Sequence, residues 1–319
     1  MYHPILTFPN ICVAFVLCCY FSFAGAAITH NFMHCKIFFN DDFNRVFQCI
    51  LSLVYGHPVS TFVPGHNLSH HRFTQLRKDP MRTSKLRYSW NLLNGLLFQP
   101  TVAWDVLKAD IRYILVQRDN GRQYYVNAVR EASTVICVSL ALAILDWRRF
   151  LIYFYIPHFF AQWAIVGMNM LQHDGCDVVD YHDQKHNYNG SRNFVGYWLN
   201  YFAFNTGYHS MHHLYPKMHW SILPYEHDKQ IKPHIHPQLL QPSMGTYIFE
   251  AFIYPGVRMR YDGKPVDIDC AKREEPDEDW MVQYYRKGKS FDDYDFTIID
   301  VLLNDGNLMC VVIWVSFRY

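Results

Sequence analysis

The chain has 319 residues, of which 50% are hydrophobic and 18% are charged, and its formal net charge is +1. The near-neutral charge argues against nucleic acid as a partner, since nucleic-acid-binding domains carry a strong basic excess. The apolar content excludes an intrinsically disordered chain, and the length excludes a small disulfide-stapled domain. The unusual feature of the composition is its 18 histidines, which fall in clusters.

Uncharged apolar runs predict an all-α, integral membrane helical protein. Residues 11–28 and 150–171 contain no charged residue, and each reaches the roughly 18–20 residues with which a helix crosses a bilayer. A third span is predicted at about residues 130–147, and only Asp146–Arg149 separate its apolar run from the second one. We therefore expect these two spans to form a transmembrane hairpin.

Residues 46–64 are also uncharged, but Gly56, His57, Pro58 and Ser60 break the helical pattern. Residues 35–65, which separate two histidine clusters, are too few for two crossings at about 20 residues each. We therefore expect 46–64 to be a re-entrant or interfacial segment. Three crossings then place all the clusters on one side, and the positive-inside rule assigns that Lys- and Arg-rich side to the cytoplasm. Residues 1–265 would form the membrane domain and residues 266–319 a polar C-terminal tail.

Three histidine clusters and one single histidine lie beside the apolar runs. The clusters are His30 and His34, then His66, His70 and His71, then His209, His212 and His213, and the single residue is His173. Side chains three or four residues apart share one face of a helix, so each cluster is expected to point in one direction. Protonated imidazoles at this density would repel each other, whereas neutral imidazoles are ligands for Fe, Cu, Ni and Zn. The pattern therefore predicts a metal site in a cap on the membrane domain.

Nine imidazoles exceed the three or four protein ligands of one zinc ion, and they suit two metal ions with four or five ligands each. The clusters contain no carboxylate, so we expect nearby carboxylates to accept hydrogen bonds from the outer imidazole nitrogens. The candidates by proximity in sequence are Asp79, Asp174, Asp177, Asp180 and Asp183. The histidines that we assign to packing or to the surface are His57, His158, His182, His186, His219, His227, His234 and His236.

The order HxxxH, HxxxHH and HxxHH beside apolar helices resembles the membrane fatty-acid desaturase and hydroxylase superfamily over about residues 11–230. GHNLSHHRFTQLRKDP is similar to its second histidine box, and FNTGYHSMHHLYPKMHWSILPYEH is similar to its third. Asn169-x-x-x-His173 resembles the pattern of acyl-CoA desaturases, and NTGYHSMHH resembles sphingolipid desaturases. That family generally has four spans, so the resemblance implies a further span before residue 11.

The resemblance implies a di-iron centre in an O2-dependent oxidoreductase of lipid metabolism, which introduces a double bond into the acyl chain of a fatty acid or lipid. It implies that two Fe ions are held by His30, His34, His66, His70, His71, His173, His209, His212 and His213, and through water by Asn169. An external electron donor, cytochrome b5 or ferredoxin, is implied, since the chain has neither a GxGxxG motif nor a fused haem motif. The protein would be multi-pass, in the endoplasmic reticulum if eukaryotic, with its active site facing the cytoplasm.

Several alternatives remain open at this point. A hydroxylase, ketolase or alkane-type monooxygenase would use the same di-iron centre, and a non-catalytic membrane metal-binding protein, a zinc site or an inactive shortened chain would also fit. Aromatic residues in 150–163 and 197–208 either line an acyl tunnel or pack in the core and against lipid. A basic stretch either attracts an acidic electron donor or faces lipid headgroups and solvent. Its members are Arg72, Arg77, Lys78, Arg82, Lys85 and Arg87.

Overall fold

The computed structural model describes residues 8–178, 187–266 and 277–281, and its fold is all-α, as predicted. The long helices are α1 (Phe8–His34), α2 (Asp41–Tyr55), α4 (Asn91–Asp119), α5 (Gln123–Phe150) and α6 (Ile156–His173). The short helices are α3 (His71–Phe73), α7 (Tyr197–Phe202), α8 (His209–Leu214), α9 (Leu223–Gln230) and α10 (Met244–Ile248). Two-residue strands β1 (Asn193–Phe194) and β2 (Leu240–Gln241) pair in parallel.

Helix α1 contains the predicted apolar run 11–28 and extends beyond it. At 1.5 Å per residue, its 27 residues span about 40 Å, which exceeds the thickness of a bilayer core. The extension carries the first histidine cluster, so His30 and His34 lie on the last turns of the same helix. Helix α1 packs mainly against α6 and α2.

The predicted linker between the second and third spans contains a break in the helix. Asp146 has φ −160° and ψ 95°, outside the helical region. Its carboxylate accepts hydrogen bonds from the backbone N–H groups of Arg148 and Arg149, as a helix N-cap does. A π-helical turn at Leu151–Tyr155 then leads into α6, which ends at His173.

Two helical stretches, Phe8–His34 and Gln123–His173, are long and apolar enough to cross a membrane. The pair Asp41–Tyr55 and Val59–Phe73 meets the same criterion only when taken together, and its halves are bent by 90°. The bend occurs at the residues that were predicted to break the helix. Gly56 ends α2 with a left-handed φ of 76°, and a Cβ atom there would clash with the ring of His158. Within residues 8–178, 187–266 and 277–281, the number of candidate spans is thus two, or three if the bent pair is one span.

The apolar core beside the histidine clusters joins α4, α6, β1 and the segment after α10. Its fully buried members include Phe98, Val102, Met170, Phe194 and Phe252. This core fixes the C-terminal half of α6 against α4. It thereby sets the distance between the two helices that form the walls of the cavity described below.

Candidate metal centre

The nine predicted imidazoles converge into two groups in which all candidate ligand atoms lie within 4.8 Å of one another. Five histidines form group A, namely His30, His34, His66, His71 and His212. Four histidines form group B, namely His70, His173, His209 and His213. Each group draws on residues that are far apart in the chain, and both are almost entirely buried.

The first box behaves as its spacing predicts. His30 and His34 lie one turn apart on α1, and both belong to group A. Their ring centroids are 5.2 Å apart. The i, i+4 spacing of a regular α-helix therefore suffices to place both side chains at one site.

The second box departs from the prediction that its histidines point in one direction. Val63–His70 is π-helical, and a π-helix has a longer repeat than an α-helix. Residues five apart therefore share a face, and the Nε2 atoms of His66 and His71 are 3.0 Å apart in group A. His70 turns instead into group B. The π-helical segment thus allows the adjacent residues His70 and His71 to belong to different groups.

The third box is divided in the same way. His209 and His213, which are four residues apart on α8, belong to group B, whereas His212 belongs to group A. Ser210 anchors this helix, since its N–H donates to Asn193 Oδ1 and its hydroxyl lies 2.8 Å from that of Ser191. The prediction that all three point the same way is therefore wrong for His212.

His173 completes group B from the C-terminal end of α6. Its Nδ1 donates to the carbonyl of Gly190 at 3.0 Å, and its Nε2 points toward His209 and His213. Buried Arg192 holds the helix end, because Nη1 donates to the carbonyls of Leu171 and Asp174. The loop at 190–192 therefore fixes both the orientation and the tautomer of His173.

The Nε2 atoms of group B are too close together to be explained by hydrogen bonds alone. The three Nε2–Nε2 distances among His173, His209 and His213 are 2.9, 3.2 and 3.1 Å. Nδ1 of His173 already carries a proton for Gly190, so its Nε2 presents a lone pair to the other two. Adjacent ligands at about 2.1 Å from one metal ion, at right angles, would be about 3.0 Å apart. The arrangement therefore fits a bound cation.

The electrostatic environment keeps the imidazoles of the third box neutral. Burial, followed by the neighbouring imidazoles, lowers the pKa of His209, His212 and His213 well below the usual value. Neutral imidazole is the form that binds a metal ion. These side chains can therefore accept metal at neutral pH without first releasing a proton.

Of the three predicted carboxylates that the structure describes, Asp79 supports an imidazole. Oδ2 of Asp79 accepts a hydrogen bond from Nδ1 of His70 at 2.9 Å, and both side chains are fully buried. The backbone N–H groups of Gln75 and Met81 also donate to this carboxylate. Burial alone would raise the pKa of Asp79, but His70 and these backbone donors lower it below its usual value. The prediction for Asp79 is confirmed.

The other two predicted carboxylates among the described residues have different partners. Asp174 forms a buried bidentate ion pair with Arg258, and Asp177 accepts a hydrogen bond from the hydroxyl of Tyr261. The prediction that these two support imidazoles is therefore wrong. Asp180 and Asp183, together with His182 and His186, lie outside the described residues.

Asn169 lies one turn before His173 on α6 and lines the cavity beside group B. Its Nδ2 donates to the carbonyl of Met81 at 3.4 Å. Its Oδ1 is buried and has no hydrogen-bond partner among the described residues. The orphaned oxygen is compatible with the water-mediated role that the resemblance implies, and that role stays a prediction.

A cavity of about 180 Å³ reaches the histidines from the side of α4 and α6. His30, His66 and His209, one residue from each box, form part of its wall. Of the two alternatives for the aromatic residues in 150–163 and 197–208, lining this cavity is not supported, since only Gln162 and Thr206 from these ranges line it. The aromatic side chains of α7 are exposed instead, which favours the alternative of contact with lipid.

The basic stretch after the second box is not a free charged surface. Arg82 is buried and forms an ion pair with Asp277. Lys85 also contacts Asp277, at 3.0 Å, and Arg77 lies 3.2 Å from Glu278. Two acidic residues of the predicted tail thus neutralise part of this stretch. Residues 267–276 and 282–319 of the tail lie outside the described residues.

Sequence reasoning missed Gly190, Arg192 and Arg258, because a carbonyl and two arginines that act on a distant helix end leave no local pattern. Buried Asp110, which lines the cavity, was also missed. The fatty acid desaturase family matches residues 6–241, well over half of the chain. No curated protein and no solved structure matches the chain.

Proposed function

The chain belongs to the fatty acid desaturase family, and on that premise we propose that it is an O2-dependent oxidoreductase that introduces a double bond into a lipid acyl chain. Two iron ions would be held by groups A and B. The observation that carries the proposal is the convergence of nine imidazoles, seven of them buried, into two groups beside a largely apolar cavity that His30, His66 and His209 help to line.

Iron supplies the capacity to activate O2 for removal of hydrogen from an unactivated carbon. The other contributions come from the chain itself. Asp79 and the carbonyl of Gly190 hold protons on the Nδ1 atoms of His70 and His173, which leaves each Nε2 free for metal. The apolar walls from α4 and α6 would bind an extended hydrocarbon chain, exclude water and align one carbon beside His66.

The membrane placement that we propose follows from the helices and the family. The stretch Phe8–His34 would cross the bilayer once, and Gln123–His173 would cross it twice as a hairpin with its break at Asp146. The cap with both histidine groups would face the cytoplasm, where an electron donor such as cytochrome b5 or ferredoxin could reach it. The exposed aromatic residues Tyr197, Trp198 and Tyr201 of α7 suit the bilayer interface. In a eukaryotic cell the membrane would be that of the endoplasmic reticulum.

The proposal is tested by lipid profiling of cells that express the chain, with a matched His70→Ala variant. We expect new unsaturated acyl chains with the wild-type protein only, and about two iron ions per chain in purified protein. His219→Ala is the control, because the His219 side chain is exposed. Of the histidines in groups A and B, only those of the third box lie near it in sequence. This variant should retain activity.

Different outcomes identify the competing functions. A hydroxylated or keto product would show that the protein is a monooxygenase on the same centre rather than a desaturase. Zinc without iron in protein purified under reducing conditions would exclude O2-dependent oxidation as the function. Identical lipid profiles for wild-type and His70→Ala proteins, with metal loaded and electron donor supplied, would favour a metal-binding protein without catalysis.

A further inference from the structure

Among the described residues, the cavity wall contains one acidic side chain, Asp110, and one of its oxygens has no hydrogen-bond partner. Asp110 lies on α4 and is 3% exposed, and its Oδ1 makes no hydrogen bond among the described residues. No basic side chain of the described residues forms an ion pair with it. Burial accordingly raises the pKa of this carboxyl well above its usual value.

Two polar side chains in the same wall donate to nearby backbone, whereas Tyr55 in that wall makes no hydrogen bond to Asp110 although the carboxyl, after burial, contributes to its raised pKa. Gln172 donates to the carbonyl of Thr206 at 2.9 Å, and Thr61 donates to that of Pro58 at 2.7 Å. No hydrogen bond from either group to Asp110 is formed within the described residues. Because buried polar groups are nearly always hydrogen-bonded, an unpaired carboxyl in a ligand cavity indicates a partner that the ligand brings.

The carboxyl lies close to the site of reaction. A Cβ atom built on Gly65 would be 3.5 Å from Oδ1 of Asp110, and Gly65 directly precedes His66 of group A. A substrate group bound by Asp110 would therefore be near the carbon that faces the histidines, rather than at the far end of the chain.

We propose that Asp110 determines substrate specificity by hydrogen bonding to a hydroxyl or amide group of the lipid, close to the carbon that is oxidised. The inference rests on the proposed function and specifies its substrate class as a long-chain lipid with a neutral hydrogen-bonding group. A protonated carboxyl both donates and accepts, as a hydroxyl or an amide does. A plain acyl chain would displace water from the carboxyl and leave it unpaired.

The test uses the full chain, reconstituted in lipid nanodiscs with iron and a reducing system. Three saturated lipids of equal chain length are compared: a plain acyl ester, its 3-hydroxy derivative and the corresponding amide. Binding is measured by competition with a photoreactive lipid, which needs no turnover, and products are measured by mass spectrometry. The variants are Asp110→Leu and Asp110→Asn, with Asp119→Asn as an exposed control on the same helix.

We expect the wild-type protein and Asp119→Asn to favour the hydroxyl or the amide lipid over the plain one by at least about tenfold, the scale set by one buried hydrogen bond. Asp110→Leu should lose this preference and bind the plain lipid more tightly. Asp110→Asn should keep most of it, because a carboxamide also donates and accepts.

A wild-type protein without preference in binding would overturn the inference, as would a preference that survives in Asp110→Leu. The wild-type comparison stands by itself if the leucine variant does not fold. An amine lipid of the same chain length is added to the binding competition. If it binds strongly to the wild-type protein and this binding is lost in Asp110→Asn, the partner is an ammonium group and the proposal as stated is refuted. Absence of product from every lipid refutes the proposed function, while the binding measurement still decides the role of Asp110.

Discussion

Replacing Asp79 by asparagine should weaken one metal site and spare the other. Asp79 contacts only group B, through the 2.9 Å hydrogen bond to Nδ1 of His70. An asparagine that keeps its oxygen toward His70 turns its NH2 group toward the N–H of Met81, which donates to Oδ1 in the wild type. An asparagine in the opposite orientation donates to Nδ1 of His70 and moves the imidazole proton to Nε2, where the metal should bind.

The expected size follows from the loss of this one supporting hydrogen bond. Loss of a carboxylate that supports a histidine ligand typically lowers metal affinity about 10–100-fold, or about 1.4–2.8 kcal/mol. Elemental analysis during titration with a chelator should show about two ions per wild-type chain, and in Asp79→Asn one ion should be removed at a correspondingly lower chelator concentration. The second ion should leave at the wild-type concentration.

Asp177→Asn is the matched control, because Asp177 was an equal candidate by sequence but contacts Tyr261 instead of an imidazole. Its chelator titration should match the wild type. The reasoning is refuted if Asp79→Asn keeps the wild-type titration, or if both ions become weaker to the same extent. In the first case the hydrogen bond from His70 to Asp79 does not affect metal affinity. In the second case groups A and B are not separate metal sites.

Three further results are expected. Unfolding of the metal-free protein should require less free energy as the pH falls below about 6.5, by about 1.4 kcal/mol per pH unit for each third-box imidazole. The folded pKa values are lowered, so below that pH the unfolded state binds more protons, and pH-dependent denaturant titration measures the slope. Arg258→Ala should cost about 3–5 kcal/mol in the same assay, because Asp174 is left as a buried unpaired charge. Gly56→Ala should lower the melting temperature, since its φ is positive and a Cβ would meet His158, whereas Gly167→Ala has open space.

Each of these expectations has a contrary result. A metal-free protein equally stable at pH 5.5 and 7.5 would show that the buried imidazoles take up protons in the folded state. An Arg258→Ala midpoint within error of the wild type would mean that the ion pair contributes nothing to folding. Equal melting temperatures for the two alanine variants would remove the steric argument for Gly56.

The length of the apolar runs was sufficient to place α1 and the helices on either side of Asp146, whereas α4 was not predicted. The run 11–28 lies within α1, the break at 56–60 separates α2 from the second box, and Asp146 interrupts the helix in the predicted linker. These features are local, since apolar length, a left-handed glycine and a capping carboxylate act within a few residues of the chain. Family membership was likewise readable from the spacing of the boxes.

The assignment of histidines to two groups could not be read from spacing. His70 and His71 are neighbours in the chain yet belong to different groups, and His212 is separated from His213. The π-helical turn at Val63–His70 decides the first case, and it depends on the packing of the segment against α4. Spacing rules assume an α-helix, so a change of helical repeat redirects every side chain after it.

The supporting contacts also depended on long-range packing. Asp79, Asp174 and Asp177 were equivalent candidates in the sequence, but only Asp79 contacts an imidazole, because Arg258 and Tyr261 approach the other two from more than 80 residues away in the chain. The sequence alone thus determined which residue types could bind metal and on which helices they lie. The tertiary structure alone decided which partner each charged group meets, and that Oδ1 of Asp110 is buried with no hydrogen-bond partner among the described residues. Burial and pairing arise only when distant segments pack together.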